Sequence, residues 1–376
     1  MKLIILKEKL KEGLRIVEKI SQKSLKLPIL QNILFQVEKN ILKLSTTNLE
    51  SSINWQSLSQ VKEIGAICVP IKILSNFISS LPEKIITIES DDKNNLRIEC
   101  GNYNTKIKCL NHEDFPIIPQ VQNEEHIIMN SSKFCDAINQ IINIPSISST
   151  KPEITGILLS FQPDVIKIVA TDSFRLAEKK ILINTGLSDN HSLILPQSAA
   201  KELIGIIGDK KGELEIKFSP NQVLFQMILD ETSKTQIKFN SRLIEGKYPN
   251  YEEIIPKKYK TVVKVDKNEF LNQVKSASLF SGKINEVKMK ISVDDKKIKI
   301  SSHHPDLGEY EGFLNASISG KNLLVSFNYR FLIDGISGSK GDKIIFNLTD
   351  TEGPASLSSD NVKEQYLYII MPIKAN

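Results

Sequence analysis

The sequence predicts an α+β fold built from three tandem copies of one domain, each copy a pair of β-α-β-β-β units. The first observation is a repeated strand pair: residues 33–37 and 41–44 recur as 157–161 and 165–168, and again as 289–293 and 297–300. The second observation is that a strand-helix-strands pattern recurs inside each copy. A spacing of about 130 residues is that of a repeated domain and not of a solenoid unit.

The first unit of each copy opens with a short strand and an amphipathic helix. Apolar residues recur at helical spacing in all three helices, as Leu10, Leu14 and Val17, then Phe134, Ile138 and Ile141, then Phe270, Val274 and Ala277. In the third copy Asp266 and Glu269 have the spacing of a capping box, so we expect the helix to begin there. Alternating strands follow each helix.

The second unit repeats this order. Pro70 opens a helix that carries Leu74, Ile78 and Leu81. Its counterparts are a helix after Leu195-Pro196 that runs through residues 203–207, and a helix after the strand 325–327 that runs through residues 331–336. Strands of period two with one short helix per unit predict antiparallel sheets with helices on one face. Proline-containing segments at 116–119 and 255–258 follow the last strand of a copy, so the predicted domains are 1–122, 123–256 and 257–376.

Composition is that of an ordinary globular protein. The chain has 376 residues, of which 40% are hydrophobic and 25% charged, and its net charge of +5 permits an anionic partner without requiring one. The four cysteines show neither CxxC nor disulfide-dense spacing, which favours a reducing cytoplasm. Neither a signal peptide nor a membrane-spanning segment is predicted, so we expect a cytoplasmic protein without a membrane partner.

The outer helix faces are weakly basic and carry no long apolar side chains. On the first helix Lys11, Arg15 and Lys19 lie opposite the apolar stripe, mixed with Glu8 and Glu12. For one helix, a solvated surface is the ordinary interpretation of such charges. Six such faces could instead line one surface that faces DNA, with Lys11, Arg15, Lys19, Lys275 and Arg330 as its candidate cations and Lys151 as a further candidate.

Packing geometry then predicts a dimer. Six helices spaced ~8–10 Å apart form a small ring, and subtracting a helix diameter of ~10–12 Å from the distance between opposite helix axes leaves a hole too narrow for duplex DNA. Twelve helices leave a hole of roughly 25 Å. A ring around DNA therefore needs two chains, and a head-to-tail pair closes by a two-fold axis.

Several motifs resemble the bacterial DNA polymerase III beta subunit, the replicative sliding clamp. Residues 169–177 (VATDSFRLA) look like that family's signature, and residues 27–32, 114–116, 246–256 and 368–374 match its other motifs in order along the chain. The resemblance implies a closed ring of six such domains, with sheets outside and helices inside. It implies a processivity factor that holds duplex DNA without sequence preference, needs no cofactor, and is a non-catalytic subunit of the polymerase holoenzyme.

The resemblance also implies a peptide-binding pocket between the second and third copies. Its partners would be the polymerase III alpha subunit, the clamp loader, repair polymerases and mismatch-repair proteins, each through a short linear motif. Apolar walls would take Leu and Phe anchors, and Arg175 would offer donors at the rim. By position the pocket residues are Ile154, Thr171, Ser173, Phe174, Arg175, Leu176, Pro249, Ile254, Gly353, Pro354, Ile369, Ile370, Met371 and Pro372.

Some residues depart from the family pattern. Ser173 and Phe174 stand where many clamps have Gly and His, and Glu253 stands where the best-known clamp has Arg. Ser24 replaces a DNA-contacting Arg, and the flanking Lys23 and Lys26 could supply its charge. Thr105 lies on the expected dimer edge.

Two alternatives belong to other functional classes. His303, His304 and Asp306 could ligate a metal in a hydrolase. The chain could also be a repeat scaffold that binds proteins without DNA, and a monomeric mass would favour that interpretation.

Overall fold

The computed structural model describes residues 1–20, 27–82, 84–119, 121, 125–148 and 150–374. Within these residues the chain forms six β-α-β-β-β units, two in each third of the sequence, which confirms the predicted fold class. Every strand pair described is antiparallel.

The first third contains both units and one additional short strand between them. Its elements are β1 (Lys2–Leu6), α1 (Lys7–Val17), β2 (Asn32–Glu38), β3 (Ile41–Thr47), β4 (Ser51–Leu58), β5 (Gln60–Glu63), β6 (Gly65–Pro70), α2 (Ile71–Ser80), β7 (Ile85–Ser90), β8 (Asn95–Cys100) and β9 (Tyr103–Lys108).

The central third has the two units without an additional strand. Its elements are β10 (His126–Asn130), α3 (Ser131–Asn139), β11 (Gly156–Gln162), β12 (Val165–Thr171), β13 (Arg175–Leu182), β14 (His191–Pro196), α4 (Gln197–Ile207), β15 (Glu213–Ser219), β16 (Gln222–Asp230) and β17 (Thr235–Arg242).

The last third again adds a short strand between its units. Its elements are β18 (Thr261–Asp266), α5 (Lys267–Ser278), β19 (Glu286–Ser292), β20 (Lys297–His304), β21 (Gly308–Asn315), β22 (Ser317–Gly320), β23 (Leu323–Asn328), α6 (Tyr329–Gly338), β24 (Lys343–Leu348), β25 (Ala355–Ser359) and β26 (Tyr366–Ile370). The expected cap of α5 is confirmed, because the Asp266 side chain accepts a hydrogen bond from the Glu269 N–H at 2.9 Å.

The chain divides into two compact units that do not coincide with the sequence repeats. Unit 1 comprises Met1–Cys135 and Ser198–Leu243, and unit 2 comprises Asp136–Gln197 and Ile244–Asn376. Each unit therefore combines strands from neighbouring repeats.

Unit 1 contains a five-stranded sheet, β5-β1-β7-β8-β9, and an eight-stranded sheet, β10-β15-β16-β17-β4-β3-β2-β6. The eight-stranded sheet is continuous because β4 of the first repeat pairs with β17 of the second, with Ile53 opposite Phe239. Helix α1 packs on β3 and β4. Trp55 is fully buried there, and its ring lies so close to Gly13 that a Cβ at that position would be 2.6 Å from the ring.

Unit 2 contains a nine-stranded sheet, β14-β11-β12-β13-β26-β25-β24-β18-β22, and a four-stranded sheet, β21-β20-β19-β23. The pair β13–β26 joins the second and third repeats within the larger sheet, with Leu176 opposite Ile369. Helix α6 packs against β26, where a Cβ at Gly335 would lie 2.5 Å from the buried Tyr368 ring. The β13–β26 pair positions the candidate site.

Candidate functional site

The candidate site is a cavity of about 650 Å³ at one end of the β13–β26 pair in unit 2. We call it the β13–β26 cavity. Four chain segments form it: the turn that leads into β13, the segment before β18, the turn between β24 and β25, and the end of β26. These segments are far apart in sequence, and the continuous nine-stranded sheet brings them together.

The turn into β13 is fixed by its own polar side chains. The Asp172 carboxylate accepts hydrogen bonds from the backbone N–H groups of Phe174 and Arg175, both at 3.0 Å. Thr171 Oγ1 donates to the Arg175 carbonyl at 2.7 Å and accepts from the Ser173 N–H at 3.2 Å. This Asx-type turn holds Ser173 at a φ of 79° and leaves the Phe174 side chain 63% exposed beside the cavity.

The opposite wall comes from a short 3₁₀-helix, Tyr251–Ile254. The Tyr251 hydroxyl donates to the buried Glu178 carboxylate at 2.7 Å, which ties this segment to β13. Burial, together with that hydrogen bond, raises the pKa of Tyr251, so the phenol stays protonated as a donor. Ile254 is thereby held at the cavity with half of its side chain exposed.

The end of the chain lies between this cavity and a second one that adjoins it. The Met371 N–H donates to the Phe174 carbonyl at 2.9 Å, and the Ile373 N–H donates to the Ser326 carbonyl of β23 at 2.8 Å. The adjoining cavity has a volume of about 1060 Å³ and shares Ser173, Phe174 and Met371 with the first. The two spaces together offer a long, largely apolar groove in which an extended peptide can place more than one anchor.

Arg175 does not present its guanidinium to the cavity rim as expected. Its side chain is 9% exposed, with Nε 2.9 Å from the Asp172 carboxylate and Nη1 bonded to Asp334 of α6. Nη2 donates to the Asn143 carbonyl at 3.1 Å, and the guanidinium lies 4.4 Å above the Phe331 ring centroid. The guanidinium joins β13 to α6, while the remainder of the residue lines the cavity.

Most of the residues that the sequence proposed for the pocket lie around these two cavities. Those that line the β13–β26 cavity are Thr171, Ser173, Phe174, Arg175, Leu176, Ile254, Gly353, Pro354, Ile369 and Met371. Pro372 lines the adjoining cavity, and Pro249 lines a different one. Ile154 and Ile370 are buried and line neither of the two, since Ile154 packs in a core cluster with Leu176 and Ile369.

Sequence reasoning missed several lining residues. In the first cavity they are Ile255, Pro256, Thr349 and Asp350, and in the second they include Ile284, Leu324 and Phe331. Ile255 and Pro256 belong to the matched segment 246–256, and Thr349 and Asp350 shortly precede Gly353, so proximity in sequence could have suggested both pairs. No local pattern marks Ile284 or Leu324, because only the folded sheet brings them beside the chain end.

The helix cations proposed to face DNA are exposed where the structure describes them. Lys11, Arg15 and Lys19 form one stripe on and just after α1 and line a small cavity of about 350 Å³ with residues of α4 in unit 1. In unit 2, Lys151, Lys275 and Arg330 are also exposed. Lys23 and Lys26, with Ser24 between them, lie outside the described residues.

The structure does not support a metal site at the paired histidines. His303 and His304 are consecutive residues of β20, so their side chains project to opposite faces of the sheet. His304 Nδ1 accepts a hydrogen bond from the Asp306 N–H at 3.1 Å. Across the described part of the chain, no group of three or more His, Cys, Asp or Glu residues is arranged to hold a metal ion. In the same described residues, no helix is long and apolar enough to cross a membrane.

Family models match nearly the whole chain. They are the N-terminal domain of the DNA polymerase III beta subunit over residues 1–119, its central domain over 128–250, and its C-terminal domain over 252–374. A curated relative, the beta sliding clamp of Staphylococcus aureus, is 26% identical over 357 residues, covering 93% of this chain and 92% of the relative.

Solved structures share the complete fold. The DNA polymerase sliding clamp of Bacillus subtilis aligns with a TM-score of 0.93 at 25% identity, and each chain is covered completely. The DNA polymerase III beta subunits of Pseudomonas aeruginosa and Thermotoga maritima align over both complete chains with TM-scores of 0.93 and 0.88, at 24% and 21% identity. With three consecutive domain matches and the repeated β-α-β-β-β units in agreement, this chain belongs to the DNA polymerase III beta subunit family, the non-catalytic beta sliding clamps.

Proposed function

We propose that this chain closes with a second copy, head to tail, into a ring around duplex DNA. The ring would act as a processivity factor at the nucleoid in the cytoplasm. In this proposal the three domains span residues 1–122, 123–256 and 257–376, with sheets outside and helices inside. The family-model matches at 1–119, 128–250 and 252–374 support these bounds.

The observation that carries this proposal is a pair of unmatched sheet edges. Inside the chain, β4 pairs with β17 and β13 pairs with β26. In each pair, the last strand of the first β-α-β-β-β unit of one repeat meets the last strand of the second β-α-β-β-β unit of the next repeat. The two last strands that remain are β21 and β9, which stand at the edges of the four-stranded and five-stranded sheets. Pairing β9 of one copy with β21 of another would complete the same arrangement.

The internal register predicts how these edges meet. Ile53 faces Phe239 across the β4–β17 pair, and the repeat places Tyr310 at the position of Ile53 and Thr105 at that of Phe239. The same register sets Lys106 opposite Glu309. Both side chains are exposed, so this opposite-charge pair would favour the proposed pairing.

The proposed DNA-facing cations are sparse, and this suits a sliding protein. Those that the structure describes are single exposed side chains on helices and one short loop: Lys11, Arg15, Lys19, Lys151, Lys275 and Arg330. Contacts to phosphate carry no sequence information and exchange readily with salt. Retention on DNA would then come from ring closure and not from affinity.

The β13–β26 cavity and the adjoining cavity are proposed to bind partner proteins by short linear motifs. Exposed Phe174, Ile254 and Met371 would contact the apolar anchors. The proposed partners are the polymerase III alpha subunit, the clamp loader, repair polymerases and mismatch-repair proteins.

Light scattering tests whether two chains associate. We expect a mass of twice the 42.3 kDa of one chain at micromolar concentration. Lys106→Glu would place like charges opposite each other and shift the mass towards one chain, and Lys106→Glu with Glu309→Lys would restore the dimer. A monomeric wild type would favour the scaffold alternative, and failure of the charge exchange to restore the dimer would contradict the proposed register.

A peptide titration tests the cavity separately. The fluorescent probe is acetyl-Leu-Ser-Leu-Phe-amide, and we expect Phe174→Ala to weaken its binding about tenfold because an exposed apolar contact is lost. Leu279→Ala is the matched control, since Leu279 is 70% exposed in unit 2 and lines neither cavity. Equal affinities for the two variants would remove the assignment of peptide binding to this cavity.

A further inference from the structure

The eight-stranded sheet of unit 1 carries a polar cavity on the face opposite α1. Trp55 of β4 points towards α1, where it meets Gly13, so its neighbours Asn54 and Gln56 project to the other face. That face, with residues 115–119 beside it, encloses a cavity of about 570 Å³. We call it the unit 1 cavity.

A row of polar side chains crosses the floor of the unit 1 cavity. Ser45 lies opposite Asn54, Asn54 opposite Lys238, and Lys238 opposite Gln226 on four adjacent strands. The Ser45 hydroxyl donates to the Asn54 carbonyl oxygen at 2.5 Å, which leaves the Asn54 amide N–H group without an acceptor among the described residues. A free amide donor therefore lies beside a lysine.

Lys238 is the unpaired cation of this row. Its ammonium group makes neither a hydrogen bond nor an ion pair with any other described residue, although the side chain is about half buried. Burial, and then the nearby Lys217, lower the pKa of Lys238, while Glu215 opposes them. A partly desolvated ammonium group without a counter-ion is costly, and a bound anion would relieve that cost.

The flanking charges limit what kind of anion can enter. Lys43 is paired with Glu38 at 2.7 Å, and Lys217 is paired with Glu215 at 3.0 Å. These two carboxylates stand near the cavity and would repel a polyanion such as a nucleic-acid backbone. A single small anionic group would meet less of this repulsion than a polyanion.

In unit 2 the position equivalent to Lys238 is apolar. There Leu367 occupies the position of Lys238, opposite Glu178 of β13, and packs against a hydrophobic cluster that contains Tyr248 and Tyr251. Glu178 itself accepts from the Tyr251 hydroxyl and is paired with Lys180. Unit 2 thus has a packed leucine at the position where unit 1 has a half-buried lysine that lines the cavity.

We propose that the unit 1 cavity binds one carboxylate or phosphate group, with Lys238 as its counter-ion and the Asn54 amide as a hydrogen-bond donor. The group could belong to an acidic side chain of a partner protein or to a free small anion. The site is on the sheet face away from α1, and it does not depend on the peptide cavity or on DNA.

Calorimetric titrations of the full-length chain at constant ionic strength test this proposal. The free-anion probe is inorganic phosphate, and the protein-borne probe is acetyl-Gly-Glu-Gly-amide, with acetyl-Gly-Gln-Gly-amide as its neutral twin. We expect one saturable site for phosphate or for the Glu peptide. Lys238→Met should weaken it about tenfold or more and Lys238→Arg should retain it.

Lys62→Met is the matched control, because Lys62 is an exposed lysine of unit 1 outside the cavity, and it should bind as the wild type does. Saturation by phosphate alone identifies a free anion, and saturation by the Glu peptide identifies a protein side chain. Three results overturn the proposal: no saturable binding of phosphate or of the Glu peptide, saturable binding of the Glu and Gln peptides with equal affinity, or saturable binding that Lys238→Met leaves unchanged.

Discussion

Arg175 shows how one side chain can shape a binding cavity without presenting its charge there. Its guanidinium is shared among Asp172, Asp334 and the Asn143 carbonyl, and it stacks on Phe331. These contacts fix the first residue of β13, and with it the turn that projects Phe174. The position of this arginine follows from the sequence motif, but its direction depends on Asp334, a residue 159 positions away.

Replacing Arg175 tests this role. Arg175→Met keeps most of the apolar stem and removes the charge-assisted hydrogen bonds, so we expect a loss of about 1–3 kcal/mol in the free energy of unfolding. Urea denaturation followed by circular dichroism measures it. Arg330→Met, an exposed substitution on α6, the helix that carries Asp334, should leave the unfolding midpoint unchanged. Identical midpoints for the two variants would contradict the account of Arg175.

At the scale of elements, helical and strand periodicity in the sequence predicted the six helices and the three long strands that follow each of them. It did not predict β5 and β22, which are short and carry mostly exposed residues. Nor could it show that each large sheet joins two repeats, because a strand's edge partner is chosen by tertiary packing. The pairs β4–β17 and β13–β26 have no signal in local sequence.

Two glycines test how closely the helices pack. In α1, a Cβ at Gly13 would meet the Trp55 ring at 2.6 Å, so we expect Gly13→Ala to cost about 1–3 kcal/mol by overpacking. In α4, a Cβ at Gly205 would meet only the Lys19 side chain at 3.9 Å, so Gly205→Ala should stabilise by about 0.5–1 kcal/mol. Thermal unfolding measures both effects: the unfolding temperature should fall for Gly13→Ala and rise for Gly205→Ala. A shift of the same sign in both variants would contradict the packing described for α1.

At the scale of the whole molecule, the repeat leaves β9 and β21 as the two last strands that pair on one side only among the described residues. The number of predicted helices, combined with helix-packing geometry, predicted a dimer from the size of the hole that twelve helices would enclose. The strand register adds a reason for the head-to-tail direction, since only β9 against β21 continues the pairing seen inside the chain. Closure is then what would separate this protein from a scaffold that binds proteins without DNA.

The most direct measurement of ring closure is retention on DNA of different topology. The protein is loaded onto nicked circular duplex by a bacterial clamp loader, the DNA is isolated, and half of it is then cut once with a restriction enzyme. A closed ring held by topology should stay on the circle and run off the cut molecule, because sparse phosphate contacts do not stop sliding. Equal retention on circular and linear DNA would contradict the account.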